Sequence, residues 1–292
     1  MIDIVLASKN QAKFVNQTID GLLKQTYKNF RVICLDGYSN DGTEKFLKRI
    51  PNLDFHLTDS PVELCYLEGI ELSESKYLNF ATTSDFLIDE SWLKSASNLL
   101  DKYPQIEIVW ATGIHVSETG KYISNANNKL LKKFKNGFFG NLSNFLSYEL
   151  YLPELCYVVR RNYLLKLINE KNLRDIIKQK NGRYQLWHYI ILSFIKNKSK
   201  GIFIPKKVFA GRIHENSVTD NINKNRYLEI IKEIVRFHQD AVLIMLKRVF
   251  NNLKNRKISK YFFEDLFSLI RFTIMYLKIS LSYAKKYILS NF

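Results

Sequence analysis

Cysteine is scarce in this chain. Cys34, Cys65 and Cys156 are its three cysteines in 292 residues, isolated and without metal-ligand spacing. Such an odd, scattered set excludes a disulfide framework and a Cys/His metal cluster, and predicts free thiols, most of them buried, in a reducing compartment. A chain of this length buries roughly three-quarters of its unfolded surface and needs no covalent staple. No apolar stretch free of charge reaches the ~18 residues that a spanning helix requires. The first twenty residues show no basic leader and no small-residue cleavage site, which predicts a cytoplasmic protein. Missing too are a Gly-x-x-x-x-Gly-Lys phosphate loop and a Gly-x-Ser-x-Gly elbow. Aromatic residues are plentiful, but no known nucleic-acid module accompanies them, so nucleic acid is not an expected partner. Acidic residues are in short supply: 28 against 44 Lys and Arg leave a net charge of +16. That excess implies an anionic partner, either a phosphate-bearing small molecule or an acidic membrane face, unless it is only a solvated lysine-rich surface.

What is present is an alternation. Ile2–Leu6, Phe30–Leu35, Leu53–Leu57 and Tyr77–Ala81 read as strands, and residues 14–25, 43–50 and 60–73 between them as helices. Strands alternating with helices predict an α/β fold around a mixed, mainly parallel sheet covered on both faces. Ligands of such sheets bind beyond the carboxyl ends of the strands. The polar segments 7–10, 36–43 and 82–85 all follow strands and are expected to converge on one site. Farther on, Val109–Thr112, Cys156–Arg160 and Gly201–Pro205 read as strands and Tyr184–Lys196 as a helix. Residues 125–144, rich in Lys, Asn and Gly, read as a loop.

Beyond Asn225 the pattern turns helical, with candidate helices at Tyr227–Asn252 and Ile258–Leu289. In the second, Phe263, Phe267, Ile270, Ile274, Leu277 and Leu281 share one face. Lys257, Glu264, Arg271, Lys278 and Lys285 recur every seven residues as a narrow, mainly basic stripe. This pattern suits an acidic membrane surface, and equally packing against the preceding helix, the first domain or another subunit. The expected division is an α/β domain over residues 1–220 and an amphipathic helical region over 221–292.

The segments Ile4-Val5-Leu6-Ala7-Ser8-Lys9-Asn10, Thr18-Ile19 and Gln25-Thr26-Tyr27-Lys28-Asn29-Phe30 are followed by Leu35-Asp36-Gly37-Tyr38-Ser39-Asn40-Asp41-Gly42-Thr43 and the stretch to Asp85. Leu186-Trp187 and Arg212-Ile213-His214-Glu215-Asn216-Ser217 come later in the chain. Together these residues resemble the GT-A glycosyltransferases of family 2, of the bacterial surface-polysaccharide type. About two-thirds of the chain is covered. The resemblance implies a GT-A, Rossmann-like fold with a C-terminal helical extension. It also implies donor-binding residues at Ala7, Ser8, Asn10, Asp36, Asp41, Ser84, Asp85 and Arg212. Asp36, at a strand end, is suited to accept from a nucleobase N–H such as uracil N3–H. Asp41-Gly42-Thr43 is suited to a tight turn, with Asp41 or Asn40 capping the next helix. Arg212 is suited to pair with phosphate.

The family's Asp-x-Asp motif is incomplete here: Thr82 and Ser84 stand where acids are usual, and Asp85 alone remains. A single carboxylate still holds Mg²⁺ or Mn²⁺ when diphosphate oxygens and water complete the octahedron. The resemblance accordingly implies a divalent cation at Asp85, with His214 as a further ligand. An inverting transfer needs a base for the acceptor hydroxyl. Arg183 and Gln185 replace the acids expected beside Leu186-Trp187, leaving Asp175, Glu154 and His188 as candidates that spacing does not separate. The expected reaction is transfer from a nucleotide-diphosphate donor, UDP-linked, to a glycan or lipid-linked acceptor in cell-surface polysaccharide synthesis. The expected location is the cytoplasm, with the tail on the inner face of the membrane or in a homo-oligomer. The rival expectation is a catalytically impaired relative that binds nucleotide or glycan and scaffolds a partner transferase.

Overall fold

The computed structural model describes residues 1–126, 128–148, 154–171, 185–214, 224–255 and 260–291. Asp175, Arg183 and the Glu215-Asn216-Ser217 end of the last motif lie outside the described residues, as does the side chain of Glu154.

Four strands form the parallel half of the sheet: β1 (Ile2–Ser8), β2 (Phe30–Asp36), β3 (Leu53–Leu57) and β4 (Tyr77–Thr82), in the order β3-β2-β1-β4. Every residue of β1 is buried, as expected for a central strand with both faces covered. The sheet continues through β9 (Tyr157–Arg160), antiparallel to β4, and then β6 (Ile108–Val116). β10 (Lys200–Arg212) runs parallel to β6, and the short β5 (Phe86–Leu87) pairs antiparallel with β10. β7 (Tyr122–Asn125) folds back on β6, and β8 (Phe138–Asn141) pairs with β10. The sheet is therefore mixed: wholly parallel from β3 to β4, and combining parallel (β6–β10) with antiparallel pairs beyond.

Helices α1 (Val15–Leu23), α2 (Thr43–Leu47), α3 (Val62–Leu72) and α4 (Trp92–Lys102) connect the early strands. α1 buries Val15, Ile19 and Leu22. α3 comes so close to β1 that a Cβ on Gly69 would sit 2.1 Å from Val5 Cγ1, an approach only glycine allows. Asp3, on β1, is wholly buried and accepts from Arg31 Nη2 (2.9 Å), Ser73 Oγ (2.6 Å) and the amides of Glu74 (3.0 Å) and Ser75 (3.1 Å). Burial alone would raise its pKa, but the bonds from Arg31, Ser73 and Ser75 outweigh it and hold the carboxyl well below the usual range. Cys34, Cys65 and Cys156 are free and buried, and burial pushes the Cys65 thiol up to about 12.

The expectation of a loop over residues 125–144 is corrected. The segment holds α5 (Asn128–Lys133), β8 and the start of α6 (Leu142–Leu146). Its few apolar residues explain this: Leu130 and Leu142 are buried, and Phe134 and Phe138 stack at 5.3 Å beside Phe203 and Trp110. Polar composition hid a small aromatic cluster. The remaining helices are α7 (Arg161–Lys171), α8 (Gln185–Lys196), α9 (Lys224–Lys254) and α10 (Lys260–Asn291).

The chain divides into two compact units. The first comprises Met1–Phe139, Leu152–Ile190 and Lys200–Ile213; the second comprises Gly140–Tyr151, Ile191–Ser199 and His214–Phe292. In the second, Arg248 of α9 pairs with the buried Asp265 of α10 and donates to Ser143 Oγ and Ile195 O, each at 2.9 Å. Ser268 donates to Asn144 Oδ1 at 2.7 Å, and Arg271 donates to Ser147 Oγ at 2.6 Å. Among the described residues, no helix is long and apolar enough to cross a membrane.

Candidate active site

The parallel register carries the three polar segments to one edge. Ser8 is level with Asp36, and Ala7 with Thr82. The loops after β1 and β2 are then stitched together by side chains. The Asn10 amide donates to Ser39 Oγ (2.8 Å), and the Asn40 amide to Asn10 Oδ1 (2.9 Å). The Gln11 amide donates to Thr43 Oγ1 (2.8 Å), and the Ala12 amide to Asp41 Oδ2 (2.9 Å). Asn10 takes a positive φ of 50°, a conformation Asn tolerates better than most residues.

Within this pair of loops, Asp36 and Asp41 have structural work. Asp36 is buried at the end of β2, and its two oxygens accept from the Ser39 amide (2.7 Å) and Ser39 Oγ (2.8 Å). This turn shapes the loop and engages each Asp36 oxygen once. Asp41 Oδ1 accepts from the Thr43 amide (3.0 Å) and Thr43 Oγ1 (2.5 Å), which closes the turn through the left-handed Gly42 into α2. Burial raises the Asp41 pKa, but the bonds from Thr43 and Ala12 carry it below the usual value. Lys9 lies over Gly37, where a Cβ would meet its Cδ at 3.0 Å, so the glycine after Asp36 makes room for this side chain.

The third segment is organised around Arg212. Asp85 Oδ1 accepts from the Arg212 amide (2.9 Å). The guanidinium is buried and donates to Ser84 O (3.2 Å), Ser117 O (3.2 Å), Glu118 O (2.5 Å) and Gln17 Oε1. It also lies over the Phe14 ring at 4.7 Å. Main-chain carbonyls and an amide oxygen occupy its donors, so Arg212 holds the backbone of this turn in place. Thr18 Oγ1, on α1, points at Thr83 O (3.0 Å) and Asp85 O (2.7 Å) and ties the same turn to the first helix. Burial pushes the Asp85 pKa up to about 6, offset in part by the Arg212 amide.

Around this turn, Thr82 and Ser84 are half-buried, their hydroxyl oxygens 3.4 Å apart. Ser8 is buried, and its hydroxyl has no hydrogen-bond partner among the described residues. His214 is buried and belongs to the second unit. Among the described residues, no group of three His, Cys, Asp or Glu could by itself hold a metal. Of the candidate bases, Glu154 opens a short 3-10 turn, Asp175 lies outside the described residues, and His188 is half-buried on α8. Its neighbour Trp187 packs against Phe80 at 5.0 Å, Tyr66 at 5.3 Å and Tyr157 at 5.8 Å.

Sequence reasoning assigned no role to Gln17, Thr18 or Ser39. For Ser39 a signal existed, since a Ser three residues after an Asp at a strand end is a turn pattern. For Gln17 and Thr18 there was none, because their partners lie 65 or more positions away.

A parallel half-sheet with its strand-end loops gathered at one edge, joined to a mixed half, defines a GT-A type of α/β protein. The chain belongs to glycosyl transferase family 2, whose model matches residues 3–150. It is similar in fold to TarS from S. aureus. The structure of TarS 1-349 in complex with UDP-GlcNAc aligns with a TM-score of 0.59 at 13% identity, covering 81% of this chain and 66% of that one. The TarS 1-349 structure alone gives 0.58 at 12% identity, over 98% of this chain and 91% of that one. Against the longer TarS structure, 81% of this chain covers 39% of that one, with a TM-score of 0.56.

Proposed function

We propose that this protein transfers a sugar from a nucleotide-diphosphate donor, UDP-linked, to a glycan or lipid-linked acceptor in cell-surface polysaccharide synthesis. The observation that carries the reading is the convergence of three strand-end loops on one edge, with a half-buried carboxyl, Asp85, at its turn. Membership of family 2 and the fold of a UDP-GlcNAc-binding neighbour support it. The residues fit a divalent cation shared between protein and donor: Asp85 would hold it, with diphosphate oxygens and water completing the shell. Such a cation would neutralise charge developing on the leaving diphosphate. The chain's own contribution is to hold the site in shape. Ser39 and Asp36 set one wall, Asp41 and Asn10 lock it to the first loop, and Arg212 fixes the backbone that presents Asp85. Glu154, Asp175 and His188 remain the candidate bases in an inverting displacement.

Thr82 and Ser84 in place of acids favour a second reading, a relative that binds donor and scaffolds an active transferase. Release of UDP from UDP-sugars, measured with Mn²⁺ and an acceptor extract, separates the two. Release that stops in Asp85→Asn supports transfer. UDP binding without release from any donor supports scaffolding.

A further inference from the structure

The two long helices of the second unit carry apolar residues on an outer as well as an inner side. Phe262, Asp265, Ser268, Leu269 and Phe272 of α10 are buried, whereas its regular apolar stripe faces away. Phe263, Phe267, Ile270, Ile274, Leu277 and Leu281 are 47% to 70% exposed. They lie on one side of the helix and run for roughly 27 Å at ~1.5 Å per residue. α9 repeats the arrangement: Phe237, Ala241, Met245 and Val249 are buried, while Leu243, Leu246, Phe250 and Leu253 are exposed.

Charge selects what covers these faces. Over residues 234–254 and 262–282, every exposed charged side chain is basic: Arg236, Lys247, Lys254 and Lys278. The acids are withdrawn, Asp240 and Glu264 being half-buried and Asp265 paired with Arg248. Lys247 stands four residues after Leu243 and three before Phe250, and Lys278 four after Ile274 and three before Leu281, so each borders its stripe. A second copy of the chain would bring another +16 of charge and the same lysines to the interface. An acidic lipid surface complements both features: acyl chains receive the apolar side chains, and anionic headgroups meet the lysines at the rim.

We propose that α9 and α10 dock this protein on an acidic lipid surface through these exposed apolar faces and the lysines beside them. The inference stands independently of sugar transfer.

Vesicle flotation of the full chain tests it, using phosphatidylcholine vesicles with and without equimolar phosphatidylglycerol. Two triple variants accompany the wild type, Phe250→Ser/Phe267→Ser/Leu277→Ser and Lys247→Glu/Lys254→Glu/Lys278→Glu. Their positions are exposed, so unchanged melting temperatures show that each variant is folded. The wild type is expected to float with acidic vesicles and not neutral ones, and to detach as salt rises from ~0.1 M to ~0.5 M. Both variants should lose at least about tenfold in partitioning. Equal binding to neutral and acidic vesicles, or no binding to either, would overturn the proposal. So would a wild-type dimer in sedimentation velocity that the serine variant dissociates while vesicle binding is unchanged.

Discussion

The two units of this chain distribute polarity in opposite ways. In the first, apolar strands fill the interior, and the polar residues of the strand-end loops gather along one edge, bonded to each other's backbones. In the second, the polar groups turn inward: Arg248, Asp265, Asn144 and Ser268 meet between helices while rows of Phe, Leu and Ile face outward. The first pattern makes a rigid edge that can receive a polar ligand. The second buries one apolar side of each helix with these polar groups and leaves the outer rows for something else.

That contrast can be broken at its most buried point. Arg248→Ala leaves Asp265 buried without its partner and is expected to destabilise the second unit by about 3–5 kcal/mol. Urea denaturation followed by a probe in α9 would show it. A loss below about 1 kcal/mol would mean that the helices are held by their apolar contacts instead. In the first unit, Asp3→Asn removes the charge that Arg31, Ser73 and the 74–75 amides surround, at an expected cost of about 3 kcal/mol at neutral pH. Because the folded pKa of Asp3 lies below its unfolded value, its contribution is present above the ordinary carboxylate range and is lost as pH falls. The gap between Asp3→Asn and wild type should therefore close progressively below about pH 4. A gap that stays constant with pH would assign the effect to packing. The smallest change is expected on the outer helix face, where Phe267→Ser should shift stability by no more than about 0.5 kcal/mol. A larger loss would mean that this face is packed in the folded chain.

Where local pattern and burial coincide, the architecture was legible in the sequence. β1, β2 and β4 are apolar runs ending in polar turns, and that alone located the edge where residues 7–10, 36–43 and 82–85 meet. What local pattern cannot carry is the identity of a partner. Arg212 belongs to a motif that suggests phosphate, yet its donors go to carbonyls at 84, 117 and 118 and to Gln17, choices visible only in three dimensions. Asp36 stands at the strand end the sequence indicated, while its bonds to Ser39, three residues on, appear only in the fold. The stripe on α10 has a clear period, but periodicity shows that a face exists, not which way it points. The acceptor side was the least legible, because Arg183 and Gln185 replace the expected acids and no spacing rule selects among Glu154, Asp175 and His188.

The account's central claim is a nucleotide site beside Asp85, and thermal stability with UDP, with and without Mn²⁺, tests it most directly. A ligand at one hundred times its dissociation constant stabilises by about 2.7 kcal/mol, a shift easily measured. Asp85→Asn is the informative variant, because it retains an oxygen for the Arg212 amide while removing the charge. The account predicts Mn²⁺-dependent stabilisation of the wild type by UDP that is lost in Asp85→Asn. Stabilisation by UDP that ignores both Mn²⁺ and the substitution, or no stabilisation by any nucleotide, would contradict it.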